Sequence, residues 1–180
     1  MIVRSPSMTG TRTVSFDLHV HYHQAYLVDD TNDAMGPDGI PVDHPVHPVG
    51  IIRVDDGGAF LITGLHTGTV GFSVTIADHD PGADTDRYED IVEISFKSEA
   101  GQLSLHEWGG GDFHELPELP AGPSWYRLRY HAQNMDEAAA VDTSNEIIDR
   151  YLLQVWPQDE STPCVVKSAS GYLAYWRRPR

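Results

Sequence analysis

Phe16, Leu18, Val20 and Tyr22 alternate with Asp17, His19, His21 and His23. Side chains on a strand point to opposite faces with period two, so this stretch predicts one apolar face and one histidine-rich face. Residues 25–28 continue the pattern past a bend. Residues 49–54 and 59–65 predict a hairpin, joined by Asp55-Asp56-Gly57-Gly58, residue types that tight turns favour. Val70, Phe72, Val74 and Ile76 again share one parity. Residues 91–96 and 103–108 predict a further pair, joined through Ser98-Glu99-Ala100-Gly101. Over residues 125–131, Tyr126, Leu128 and Tyr130 oppose Arg127, Arg129 and His131. Residues 151–156, 165–167 and 172–176 complete the strand signals. Asn134 stands where a cap is needed for a short helix over residues 135–141, with Asp136 and Glu137 at its positive end. The reading is all-β: an antiparallel two-sheet β-sandwich of about nine strands with one short helix. Phe16, Leu18, Val20, Tyr22, Val70, Phe72, Val74, Ile76, Leu128 and Tyr130 are expected to point inward.

The organisation follows from the same pattern. Residues 1–12 predict a loose N-terminal segment, residues 13–176 a single domain, and residues 177–180 a basic tail. Prolines and aspartates crowd residues 29–48 and predict a long irregular connection. A chain of 180 residues ordinarily forms one domain.

Charge narrows the partners. The formal net charge is −15, from 27 acidic and 12 basic side chains. Such a surface repels phosphate backbones and anionic membrane, which argues against direct nucleic-acid or membrane binding. It attracts a basic protein or a cation. The one cysteine, Cys164, has nothing beside it to activate a thiolate and no partner for an internal disulfide. Met1 to Ser7 carry no signal-peptide core, and no apolar run approaches the roughly 20 residues of a membrane span. A cytoplasmic protein is expected.

Two clusters invite metal chemistry. On a strand, His19, His21 and His23 would stand on one face, with neighbours roughly 6.5–7 Å apart. Imidazoles so placed suit zinc or another transition metal. A third ligand would come from a neighbouring strand, with His66, His106, His114 or His131 available. An open position on such an ion could then activate water. The His-x-His pattern resembles the first metal motif of cupins. That motif also needs a Glu, where this chain has Gln24, Asp29 and Asp30. Asp78, Asp80, Asp84, Asp86, Glu89 and Asp90 form the second cluster. Its Asp-x-Asp pairs resemble the calcium loops of C2 domains, since hard cations gather carboxylates. The same six residues could instead face a basic partner. An exposed polar strand face accounts for the histidines without a metal, so no cofactor is expected. Gly109-Gly110-Gly111 is followed by no helix pattern or Gly-Lys-Ser/Thr and reads as a turn. No Gly-x-Ser-x-Gly occurs, and no catalytic residue is assigned.

Tyr22-His23-Gln24 closes the first strand. Leu119-Pro120-Ala121-Gly122 leads to Tyr126-Arg127-Leu128, and Tyr151-Leu152-Leu153-Gln154 begins a late strand. Together with the order of strands, this resembles the competence protein J family, inhibitors of a DNA-entry nuclease, over about residues 14–156. The resemblance implies a non-enzymatic inhibitor or immunity-type protein whose acidic surface occupies a basic cleft of a nuclease. Charge complementarity of that kind raises association rates and selects partners. The matched motifs read as structural, so no inhibitory residues are carried over.

Overall fold

The first alternation forms β1 (Arg12–Val20), in which Leu18 and Val20 are buried and Asp17 and His19 exposed. The computed structural model describes residues 10–30 and 49–178. Most of the expected loose segment 1–12, residues 31–48 of the expected irregular connection, and residues 179–180 of the basic tail lie outside the described residues. After β1 come β2 (Gln24–Asp29), β3 (Ile52–Asp55), β4 (Gly58–Ile62), β5 (Thr67–Ile76), β6 (Asp90–Ser98), β7 (Leu103–Glu107) and β8 (Phe113–Glu115). Then follow β9 (Ser124–Gln133), α1 (Met135–Val141), β10 (Thr143–Ser144), β11 (Arg150–Pro157), β12 (Cys164–Lys167) and α2 (Gly171–Trp176).

These strands make two sheets. The larger runs β1-β5-β11-β9-β6-β12, with β10 also beside β5, and the smaller runs β3-β4-β2-β7-β8. Pairing is antiparallel except where β10 and β11 run parallel to β5. The protein is therefore mostly β. The count of about nine strands and one helix is corrected to twelve strands and two α-helices among the described residues. The extra helix, α2, replaces a strand expected over residues 172–176. Ser170 Oγ accepts the Leu173 N–H, and the Asp136 carboxylate accepts those of Gly171 and Tyr172, so the first turn is capped from two sides. Helix α1 occupies the expected residues. Its N-terminal Asn134 is left-handed (φ 63°) and does not cap: its amide donates to the Ile148 carbonyl instead.

One apolar cluster draws on both sheets. Leu18, Val70, Phe72, Val74, Leu128 and Tyr130 from the large sheet join Ala25, Leu27, Leu61 and Leu105 from the small one. Phe72 and Val74 share a face, as the alternation requires. Phe72, Tyr130 and Tyr151 stack with ring centroids 5.5–6.1 Å apart. Two phenols then stitch the sheets together. Tyr130 Oη donates to the Ile62 carbonyl, and Tyr151 Oη accepts the Gly64 N–H while donating to buried Asp149. Burial raises both phenols well above their ordinary range, so they remain donors.

The outward face of β9 is also buried. Arg127, Arg129 and His131 are covered by residues 78–86 and by the strand linker near Ser161 and Thr162. His131 donates from Nδ1 to the Leu152 carbonyl and accepts the Asp84 N–H at Nε2. Burial pushes its pKa down to about 4. The unfolded value is near 6.5, so His131 adds stability that is fully present above that pH. The contribution is lost as pH falls through the interval down to about 4, and it amounts to at most about 3 kcal/mol. His131→Gln keeps an acceptor for Asp84 and removes the titration. Urea unfolding at pH 7 and pH 4.5 should show a smaller acid loss for the variant than for the native chain. Equal losses would assign the acid sensitivity elsewhere. His23, lowered by burial, acts in the same direction, and Asp149, raised by burial, acts in the opposite one, so the comparison isolates His131.

Candidate functional site

Strand β1 stops at Val20, and the chain turns to enter the other sheet. His21 bridges to Gln24, and both intervening residues are left-handed: Tyr22 at φ 53° and His23 at φ 61°. Two positive φ values make a type I′ turn, which ordinarily uses Asn-Gly. A side chain there costs about 1–2 kcal/mol per residue. The surroundings hold the turn in place. His23 N–H donates to the His66 carbonyl, and Thr63 N–H donates to the His23 carbonyl. The His23 ring lies against the Thr63 and Gly64 carbonyls, 3.2 and 3.1 Å from Nδ1. Two carbonyl acceptors require Nδ1 to carry a proton. Strain of this kind clusters at functional sites.

Around this turn the rings gather. Tyr22 sits 4.0 Å from His21, 5.3 Å from His66 and 5.1 Å from Trp108, centroid to centroid. Thr67 Oγ1 bridges Nδ1 of His21 and of His66, at 2.7 Å each. Trp108 opens the 3-10 turn between β7 and β8, where Gly109 takes φ 70°. Tyr22 is 51% exposed and Trp108 39%. The inward placement expected for Tyr22 is thus corrected: the left-handed turn carries its ring to the surface.

The same turn separates the three histidines. His19 stays on β1, exposed, with its N–H donated to Glu107. His21 reaches Thr67, and His23 turns to the carbonyls of residues 63 and 64. They do not share the strand face expected of a transition-metal site. Of the histidines named as further ligands, His66 alone joins His21 and His23. Among the described residues, no group of three or more His, Cys, Asp or Glu side chains is placed to hold a metal ion. Two open surface grooves, of ≈ 440 and ≈ 620 Å³, have no histidine in their walls.

The acidic cluster divides in a similar way. Asp78 and Asp86 are exposed, and Asp78 bonds neighbouring His79, which lowers its pKa. Asp80 grips Arg129 with both oxygens, at 2.8 and 3.1 Å, and this contact lowers its pKa. Asp84 accepts the Arg87 N–H. Glu89 accepts the Asn134 N–H. Asp90 is fully buried, where one oxygen accepts the Ala169 and Ser170 N–H groups. Asp90 therefore offers nothing to a partner, a correction to its place among the partner-binding residues. The alternation on β6 assigns it to no face by itself, because it sits at the strand's first residue.

These elements define a mostly β, two-sheet protein in which strand pairing is largely antiparallel. Among solved structures the chain is similar to ComJ, inhibitor of the DNA degrading activity of NucA, from Bacillus subtilis. The TM-score is 0.61 at 13% identity, covering 82% of this chain and 98% of that one. It is also similar to a structure described as Crocagin biosynthetic gene J, with a TM-score of 0.52 at 12% identity, covering 83% and 99%. Likeness at such identities is likeness of fold. No family model matches the chain, and no curated protein matches it by sequence. The resemblance read from the sequence thus reappears as shared architecture. One of its motif residues is structural: Tyr126 Oη donates to the Gly122 carbonyl and accepts the Ala121 N–H, fixing the Pro120-Ala121-Gly122 turn.

Proposed function

We propose that this chain is a non-enzymatic acidic binding module that inhibits a nuclease by occupying its basic cleft. The observation that carries the reading is the likeness to ComJ over nearly all of that protein's length. The net charge of −15 and the exposed carboxylates of Asp78 and Asp86 support it. In this reading the two sheets are the layers of a β-sandwich, the partner is a basic protein in the cytoplasm, and no metal takes part. No described helix is long and apolar enough to cross a membrane.

A DNA-degradation assay tests this directly. Purified chain, titrated into a NucA-type nuclease from the same cell, should abolish cleavage near one equivalent at low salt and act more weakly at high salt. Undiminished cleavage at large excess, with no complex on gel filtration, would overturn the proposal. Elemental analysis of untagged protein checks the metal-free part. Stoichiometric zinc or calcium would favour the cupin-like or C2-like alternative instead.

A further inference from the structure

We infer that the Tyr22–Trp108 corner is a receptor for one arginine or lysine side chain of the protein partner. The inference rests on the reading of the chain as a module that binds a basic protein. Three features carry it.

The first is exposure of two aromatic rings held in place. Tyr22 and Trp108 lie in contact, their planes tilted by 57°. His21 backs both, 4.0 Å from Tyr22 and 4.9 Å from Trp108. The left-handed turn fixes Tyr22, and the 3-10 turn fixes Trp108, so little ordering is left for binding. Rigid exposed Tyr and Trp are the side chains that dominate interface energetics.

The second is the charge around the rings. Glu107 precedes Trp108 and bonds the His19 N–H. Asp112, exposed, accepts the Glu107 N–H at its carbonyl. Asp142, also exposed, accepts the His66 and Thr67 N–H groups at its carbonyl. Glu107 and Asp112 therefore flank Trp108 along the chain, and Asp142 contacts the backbone at His66, whose ring packs on Tyr22. Among the described residues, the one basic side chain found within 4 Å of these three carboxylates is His114, 3.8 Å from Glu107.

The third is a cation–π contact already present elsewhere in the molecule. Arg129 lies over Trp156, 4.5 Å from the ring centroid. Among the described residues no cation is recorded over Tyr22 or Trp108, and acidic residues stand next to the segments that carry them. A guanidinium or ammonium placed there gains the ring quadrupole and the carboxylates together. A neutral apolar side chain would gain the rings alone.

The probe is an acetylated, amidated Gly-Arg-Gly peptide, with Gly-Gln-Gly as control, followed by the tryptophan indole N–H signals in NMR. The Arg peptide should shift Trp108 saturably and leave Trp125, Trp156 and Trp176 in place. The Gln peptide should not shift it. Tyr22→Leu should abolish the Trp108 shift. Equal shifts from both peptides, or shifts confined to residues 78–86, would overturn the inference. A second arm uses nuclease inhibition by Trp108→Leu, with thermal melting to check folding. Inhibition should weaken by about tenfold, the size a central interface aromatic carries. Full inhibition by this folded variant would sink the receptor and leave the inhibitor reading standing. Arg-peptide binding at Trp108 without inhibition of any nuclease would support the receptor and remove the inhibitor reading.

Discussion

Glu93→Leu is expected to cost about 3–5 kcal/mol and to lower the melting temperature by roughly 10 °C. Glu93 sits between two arginines on the outward face of β9. Its Oε1 accepts Arg127 Nε at 3.1 Å and its Oε2 accepts Arg129 Nε at 3.0 Å. Those arginines are 3% and 5% exposed. Their remaining donors are also engaged. Arg127 reaches Ser95 Oγ and the Ser161 and Thr162 carbonyls. Arg129 reaches Asp80 and Gln154. With leucine at 93, two buried guanidinium groups stand on one strand face with Asp80 as their nearest carboxylate. The penalty is mostly that of buried charge left unpaired. Glu93→Gln, which still accepts one bond, should cost less. Urea denaturation compares the three proteins. A Glu93→Leu protein as stable as the native one would mean that solvent reaches the arginines. Because Arg129 also anchors Asp80, the same variant should speed proteolytic cleavage within residues 78–86.

That network marks where sequence reasoning reaches and where it stops. The alternation over residues 125–131 already separates Tyr126, Leu128 and Tyr130 from Arg127, Arg129 and His131. Parity does not reveal that the polar face is covered as well. The cover comes from residues 78–86 and 161–162, distant in the chain, and Asp80–Arg129 is a contact between residues 49 apart. The acidic loop looks like free charge in sequence for this reason. Local periodicity likewise carries β1 correctly to Val20 and then fails. Tyr22 and His23 keep the alternation of a strand while adopting left-handed backbone that their types disfavour. Long-range bonds from His23 to residues 63, 64 and 66 hold the turn there. The histidine corner was legible in part: His66 stood among the candidates, but Thr67, Trp108 and Tyr172 gave no signal. Tyr172 approaches the His23 ring from α2, a helix whose aromatic residues favour strands by propensity. Its signal was Ser170-Gly171 ahead of Leu173, a cap readable only once Asp136 and Asp90 are seen nearby.

Gly68→Ala is expected to cost about 3–4 kcal/mol and to dismantle the histidine corner along with the local pairing. Gly68 has φ 133°, a backbone region that side chains rarely enter. A methyl group there would collide with the Ser144 carbonyl oxygen and carbon. The neighbour is backbone and cannot swing aside, so β10 must move off β5. Their parallel pairing, Thr143 with Thr67 and Ser144 with Gly68, would be lost. Asp142 immediately precedes β10, itself has a positive φ of 70° with ψ −53°, and accepts the His66 and Thr67 N–H groups at its carbonyl. Its displacement frees the segment that presents Thr67 to both imidazoles. The variant should therefore lose more than stability. Hydrogen exchange at residues 66–68 should rise well beyond the change in global unfolding, and the His21 and His66 ring signals should broaden at temperatures where the protein remains folded. Gly57→Ala is the control: Gly57 also has positive φ, at 83°, but a methyl there meets nothing within 4 Å. Its cost is the backbone strain alone, about 1–2 kcal/mol. Equal costs for the two variants would show that β10 yields freely and that its pairing with β5 does not hold the corner together.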